Sequence, residues 1–527
     1  MGAGALNGYG GGYEESPAGL KRGGGWDREL KGVSYLIMYA NGKWGGYGPG
    51  THTGRGWRIQ DYSLVGIAGR VIPAICHHIE YQLKDGGDGL TIKLIHRDSI
   101  ESPLYPGNLT MEQRIVRLNQ QSKTRLEQMA LVAAMTRTAA TPNQTIDPNG
   151  IIHVPVTLEG TFYLALVGIG TTKVEPEPYF ESYYFIVDTG SSVTWIQCEG
   201  CNPCFYQKAP LFPYRKSTTC SESLCDSKGQ CEFGICEDSK CTYTVEYVNA
   251  ITKGDFGFEK FTFNSDDGGI EAFDHLRFGC GLKQSNFDFG LVDPMQNEIA
   301  GILGLGRGPT SFPNQLQLSD FSYCLRPWYH EGGVQEVSTF LRMGNDARFQ
   351  DGQTVYTTPL DPRDSHYLVT LEGISFQGVR LPIEASAFAR TPDGKGGCLL
   401  DTGSPWTVIQ RKEYDIVKSA MRTYFLDFNV ALIPLGQGLL DLCYINPNQQ
   451  GIPYPSMTFH FQGADFEIGP NQLFLNLVDG FCLAVLPHDL DLFSVLIGNH
   501  MQTNRRFVYN TDLNSLAFAR EDYKLAS

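Results

Sequence analysis

Two short segments, 213 residues apart, put an aspartate in the same setting: Phe185-Ile-Val-Asp188-Thr-Gly-Ser-Ser192 and Cys398-Leu-Leu-Asp401-Thr-Gly-Ser404. In each, an apolar run with the pattern of a buried strand delivers a carboxylate into a hydroxyl-rich glycine turn. Further along, each segment has its own apolar-apolar-glycine stretch, Ile302-Leu303-Gly304 and Leu496-Ile497-Gly498. One Asp-Thr-Gly alone is an ordinary turn; two in equivalent contexts, each with a distal partner, imply a duplicated unit whose loops meet. Two carboxylates within hydrogen-bonding range cannot both ionise freely, so they share a proton. The charged one can then take a proton from a water between them while the protonated one polarises a peptide carbonyl. The chemistry expected is direct attack of water on an amide, without a covalent intermediate. Gly190 and Gly403 let the backbones approach, and Thr189, Ser191, Thr402 and Ser404 supply hydroxyl donors.

The elements that must position these loops read as strands. From about residue 151 the chain becomes short apolar runs punctuated by Gly, Pro, Asn and Asp, among them Phe162 to Val167, Tyr184 to Val187, Thr242 to Tyr247, Met457 to Phe461 and Phe507 to Tyr509. This is an all-β rhythm, with Lys412 to Tyr424 the clearest helical exception. Upstream, Leu90 to Ile95 alternates like a strand. Thr110-Met-Glu-Gln113 has the capping-box form and opens a basic amphipathic helix, with Ile115, Leu118, Leu126 and Met129 interleaved with Arg114, Arg117, Lys123 and Arg125. Such a helix is either a plain surface helix or a detachable basic cover for something acidic.

The plain surface helix is the default for such a pattern, and the charge along the chain is unevenly spread. Of 527 residues, 1–150 hold 16 Lys+Arg against 13 Asp+Glu, whereas 151–527 hold 26 against 44, so a mildly basic leader precedes a body of charge −18. The overall charge of −15 disfavours a nucleic-acid partner. No apolar run is long enough for a membrane span, and Met1 does not open a signal peptide. Residues 1–60 carry 18 of the 60 glycines and are compositionally foreign to the rest. Thirteen of 14 cysteines lie between Cys198 and Cys482, eight of them within Cys198 to Cys241. An all-cysteine zinc cluster and a disulfide framework both remain open, but no histidine lies between His153 and His275 and no paired CxxC knuckles repeat, which favours disulfides and an oxidising compartment.

The chain resembles a pepsin-type aspartic protease of the plant nepenthesin-like group over about residues 89–520. The resemblance rests on Asp188-Thr-Gly-Ser-Ser-Val-Thr-Trp195-Ile-Gln-Cys198, Ile299-Ala-Gly-Ile-Leu-Gly-Leu-Gly306, Phe321-Ser-Tyr-Cys324-Leu, Asp401-Thr-Gly-Ser404, Asp441-Leu-Cys443-Tyr444 and Ile497-Gly-Asn499. It implies a mainly β, bilobal pepsin-like fold with the active-site cleft between two β-barrel-like lobes. The implied parts are a Gly-rich leader (1–88), a propeptide-like segment (89–150), an N-terminal lobe with a Cys-rich insertion (151–345) and a C-terminal lobe (346–527). By resemblance Asp188 and Asp401 are the catalytic pair, Thr189 and Thr402 cross-brace the loops, and Ser191 and Ser404 hydrogen-bond the outer carboxylate oxygens. Trp195 matches the aromatic behind the flap, and Tyr247 the flap tyrosine. The family's Tyr-Gly-Asp reads Tyr247-Val248-Asn249 here, and Pro405 follows Ser404.

The disulfides that the resemblance implies are Cys198–Cys201, Cys204–Cys280, Cys220–Cys241, Cys225–Cys236 and Cys443–Cys482, leaving Cys76, Cys231, Cys324 and Cys398. No metal or cofactor is expected. The expected protein is a monomer on the secretory route with protein or peptide substrates, made as a zymogen that acid activates by cleavage around residues 136–155. Sequons at Asn108 and Asn143 lie before or near that cleavage. The rival expectation is a catalytically silent homologue that acts as a binding or inhibitor protein.

Overall fold

The structure is a computed structural model. It describes residues 83–85, 89–107, 109–139, 163–172, 179–247, 250–264, 270–287, 289, 293–327, 339–363, 366–434, 440–445 and 451–521, together with two short paired strands, Ile37–Met38 and Trp44–Gly45. Cys76, Asn108, Asn143, Val248, Asn249 and residues 140–155 of the expected cleavage region lie outside the described residues. Contacts divide the chain into Met1–His78 and Ile79–Ser527. The account below concerns the second unit.

Strand β1 (Gly89–His96) buries alternate apolar side chains, Leu90, Ile92 and Leu94. It is followed by α1 (Met111–Ala139). The capping box legible in the sequence is made: Thr110 Oγ1 accepts from the Gln113 amide at 3.2 Å, and Gln113 Oε1 accepts from the Thr110 amide at 2.9 Å. Strands β2 (Tyr163–Thr172) and β3 (Tyr179–Asp188) form an antiparallel pair, and β1 lies beside β2 with Ile95 opposite Leu164. On its other edge β1 pairs with Thr339–Gly344, so the segment upstream of α1 is woven into one sheet of 16 strands. That sheet runs from Tyr356–Pro359 through Ser515–Arg520 and Arg505–Asn510 to β1, β2 and β3, and on to the long hairpin of Ala250–Asn264 and Ile270–Ser285.

Three smaller sheets, of five, four and four strands, complete the C-terminal half. The expected helix near Lys412 to Tyr424 spans Arg411–Leu426 and buries Tyr414, Val417, Met421 and Phe425 on one face. The fold is mainly β, as the punctuated apolar runs implied. Aromatic side chains account for much of the core, with Phe425 at the centre of a cluster that includes Tyr444, Phe474 and Phe481.

Candidate active site

Each Asp-Thr-Gly loop is built the same way. In the N-terminal half β3 ends at Asp188, the chain turns, and β4 (Trp195–Gln197) leaves. The distal strand β5 (Ile299–Gly304) inserts between them, parallel to β3 with Gly304 opposite Asp188, and antiparallel to β4. In the C-terminal half β6 (Cys398–Leu400) and β7 (Thr407–Gln410) receive β8 (Val495–Ile497) between them in the same two senses. The distal glycines are there for close approach: a Cβ at Gly304 would lie 2.6 Å from the Ser192 carbonyl carbon, and one at Gly498 2.4 Å from that of Trp406. Thr194 Oγ1 accepts from the Gly304 amide at 3.1 Å and Thr407 Oγ1 from the Gly498 amide at 3.2 Å, which locks each loop to its inserted strand.

The two carboxylates converge on one cation. Gly190 and Gly403 each donate a backbone N–H to the Oδ1 two residues before, at 2.9 and 3.0 Å. Arg125 of α1 donates Nε to Asp401 Oδ2 at 3.2 Å and Nη2 to Asp401 Oδ1 at 3.3 Å, and its Nη2 lies 4.0 Å from Asp188 Oδ1. A Cβ added to Gly190 or to Gly403 would stand 3.3 Å from Arg125 Nη2 in either case, so the guanidinium tip sits midway between the loops. Burial alone would raise the Asp401 carboxyl. The Arg125 charge and hydrogen bond outweigh it, with help from Ser404 Oγ at 2.6 Å and the Gly403 amide, and hold Asp401 below its ordinary value. Arg125 loses by burial, but Asp401 and Asp188 together fix it in its charged form.

Tyr247 and Trp195 meet, with Trp195 Nε1 donating to Tyr247 Oη at 2.8 Å. Trp195 is also a core aromatic, 1% exposed among Tyr243, Phe256 and Phe289. Burial, then the charge of Asp188, push the Tyr247 phenol upward. Ser191 departs from expectation. Its hydroxyl is buried and makes no hydrogen bond to Asp188, so of the two serines only Ser404 bonds its aspartate.

The family model described as "Xylanase inhibitor N-terminal" matches residues 163–342, and "Xylanase inhibitor C-terminal" matches residues 366–520. Aspartic proteinase nepenthesin-1 of Nepenthes gracilis is 31% identical over 368 residues, covering 68% of this chain and 77% of that protein. Aspartyl protease family protein 2 of Arabidopsis thaliana is 30% identical over 458 residues, covering 82% and 84%. The chain belongs to the pepsin-like plant aspartic protease family. Among solved structures, edgp is similar with a TM-score of 0.53 and 18% identity over 69% of this chain and 92% of that one. Soybean basic 7S globulin has a TM-score of 0.50 and 16% identity over 70% and 95%. These two likenesses speak to fold alone.

Within this family member, three expected disulfides are corrected. Cys225–Cys236 and Cys443–Cys482 pair as implied, but Cys198 pairs with Cys280, Cys201 with Cys204, and Cys231 with Cys241. Register is the reason: β4 lies parallel to Ile270–Ser285 with Ile196 opposite Cys280, which carries the next turn, at Cys198, within 5.5 Å (Cα to Cα) of Cys280. Cys220 is free, and burial followed by the neighbouring Glu259 pushes its thiol up to about 12. Cys324 is buried and lies outside these five disulfides, and Cys398 is free and buried. The sulfurs of Cys225, Cys231 and Cys241 lie within 4.8 Å of one another, but all three are oxidised in disulfides and offer no thiolate to a metal. Five disulfides and plant protease relatives are consistent with a secretory route, and no helix among the described residues is long and apolar enough to cross a membrane.

Sequence reasoning missed the way α1 docks. It placed Arg125 among the interleaved basic residues, whereas Ile115, Leu118, Asn119, Ser122, Arg125 and Leu126 form one stripe at spacings of three and four. Ile115 and Leu118 are fully buried with Trp406, Leu440, Leu475 and Ala484, and Leu126 packs near Leu368, Leu399 and Val408. Met129's side chain lies outside the described residues. The available signal was a cation spaced as part of an apolar stripe, in a chain that carries two paired aspartates.

Proposed function

We propose that this protein is an aspartic endopeptidase made as an acid-activated precursor. The observation that carries the reading is that one guanidinium, Arg125, lies 3.2 Å from Asp401 and 4.0 Å from Asp188. Two carboxylates close enough to share one cation are close enough, once it leaves, to share one proton and one water. Asp188 and Asp401 are then the catalytic pair. The ionised member takes a proton from the water as it attacks, and the protonated member hydrogen-bonds the carbonyl oxygen as charge grows there. Proton return to the leaving amine completes hydrolysis. Gly190 and Gly403 hold the inner oxygens, buried Thr189 and Thr402 brace the loops, and Tyr247, tethered by Trp195, covers the substrate.

While α1 is docked, no water or peptide can occupy the place of the Arg125 guanidinium. Asp401 is held below the ordinary carboxylate value of 3.8. The contact therefore contributes its full stability above that value and loses it as pH falls through the lowered one. Acid thus frees the site, and cleavage around residues 136–155 makes the release permanent.

The test is hydrolysis of haemoglobin at about pH 3–5 after acid treatment, with and without pepstatin, beside Asp188→Asn and Asp401→Asn. Pepstatin-sensitive cleavage that both variants lose is the expected result. The family models' description as xylanase inhibitor favours a second reading, a silent protein-binding homologue. Acid-treated protein with α1 released and no pepstatin-sensitive cleavage would establish that reading instead.

A further inference from the structure

The surface beneath α1 is more specific than a site for one arginine requires. Ile115 and Leu118 enter an apolar pocket walled by Trp406, Leu440, Leu475 and Ala484, with the Cys443–Cys482 disulfide in its lining. Trp406 is 0% exposed, its ring edge-on to buried His500 at 5.5 Å, and its Nε1 donates to Asn119 Oδ1 of α1 at 2.7 Å. When α1 leaves, this wall faces solvent as an apolar patch around an indole that has lost its acceptor. Proteins rarely leave such patches unused, and a tryptophan N–H taken out of water calls for a partner.

The residue five after Asp188 is Val193, which packs on the Trp195 cluster, whereas the residue five after Asp401 is Trp406, which faces α1. Along the helix, Leu118 lies seven residues before Arg125, about 10 Å at 1.5 Å per residue. An extended peptide covers that distance in about three residues.

Resting on the reading that acid removes α1 from an active enzyme, we propose that the Trp406 pocket is a specificity subsite. It selects substrates with a branched aliphatic side chain about three residues from the scissile bond. A neighbouring Asn, Gln or Asp accepts from Trp406 Nε1. The substrate class is thus peptides that reproduce, in extended form, the Leu118-Asn119 pair that now fills the pocket.

The experiment profiles acid-processed protein with peptides that vary the third residue on either side of a fixed scissile bond through Leu, Ile, Ala, Phe and Glu. We expect a preference for Leu or Ile of about tenfold or more in kcat/KM on one side. Trp406→Ala should flatten it, mainly through KM, and Trp406→Phe should keep it while losing the preference for an adjacent Asn. An active Trp406→Ala enzyme with the wild-type profile overturns the proposal.

A second measurement does not depend on catalysis. A synthetic peptide of residues 111–126 is titrated against the processed protein by tryptophan fluorescence, beside Leu118→Ala and Asn119→Ala peptides. Weaker binding of both variants supports the pocket even if no hydrolysis is found, in which case the protease reading falls and the ligand site stands. Equal binding of all three peptides overturns the pocket whatever the activity, and retention of α1 after acid overturns both.

Discussion

The two Asp-Thr-Gly loops share a topology but not an environment. Strand, turn, exit strand and inserted strand repeat in the same senses, down to the threonine that holds the distal glycine. Around Asp401, whose side chain is 4% exposed, Ser404 donates at 2.6 Å and Arg125 grips both oxygens. Around Asp188, 15% exposed, the serine makes no hydrogen bond to it and the cation stands at 4.0 Å. Beyond the aspartates, Val193 packs toward its own core, while Trp406 presents an indole to α1. A backbone duplication therefore sets up two like carboxylates, and the different bonding of the repeat's own serines, together with Arg125 from outside it, makes them unlike.

The largest effects should come from breaking the pair itself. Asp188→Asn and Asp401→Asn should each lower peptide hydrolysis by about a thousandfold or more. They should differ before activation, because Asp401→Asn removes the two-point grip on Arg125. Limited proteolysis at neutral pH should then release α1 from that variant far more readily than from Asp188→Asn; equal release would show that the grip is shared evenly. Next in size, Arg125→Ala should weaken α1 docking by about 2 kcal/mol, since a partly exposed pair yields less than a fully buried one. Processing of this variant, followed by N-terminal sequencing, should begin at higher pH than in the parent.

Smaller effects sharpen the contrast between the serines. Ser404→Ala removes a bond that lowers Asp401, so the acid limb of the kcat/KM profile should move up, whereas Ser191→Ala should leave that limb in place. If both variants move it equally, the asymmetry seen here is not functional. The smallest effect concerns His96, at the end of β1. Burial and the charges of Arg97, Arg114 and Arg117 outweigh Asp98 and lower it from 6.5 to about 4. A histidine with a depressed folded value adds stability above 6.5 that drains away as pH falls toward 4. His96→Gln lacks that drain, so its α1 should stay docked to slightly lower pH, by about a few tenths of a unit in the release midpoint read by tryptophan fluorescence.

Much of this was legible beforehand because it depends on local pattern. The paired aspartates, the distal glycines, the all-β rhythm, the capping box at Thr110 and the helix near Lys412 all follow from periodicity and turn chemistry. Pairing choices were not legible. Which cysteine meets Cys280 depends on the register of β4 against a strand some eighty residues away. Whether Ser191 bonds Asp188, as Ser404 bonds Asp401, depends on a side-chain rotation that composition does not encode.

By itself, the sequence determined that two equivalent carboxylates would end buried strands at glycine turns, and that a basic amphipathic helix would precede an acidic body. Only the tertiary structure decided that the helix lies across those carboxylates, with Arg125 between them and Leu118 under Trp406. The physical reason is distance along the chain. Helix and strand patterns come from neighbours a few residues apart, whereas Arg125 and Asp401 are 276 residues apart and meet only once both halves have folded.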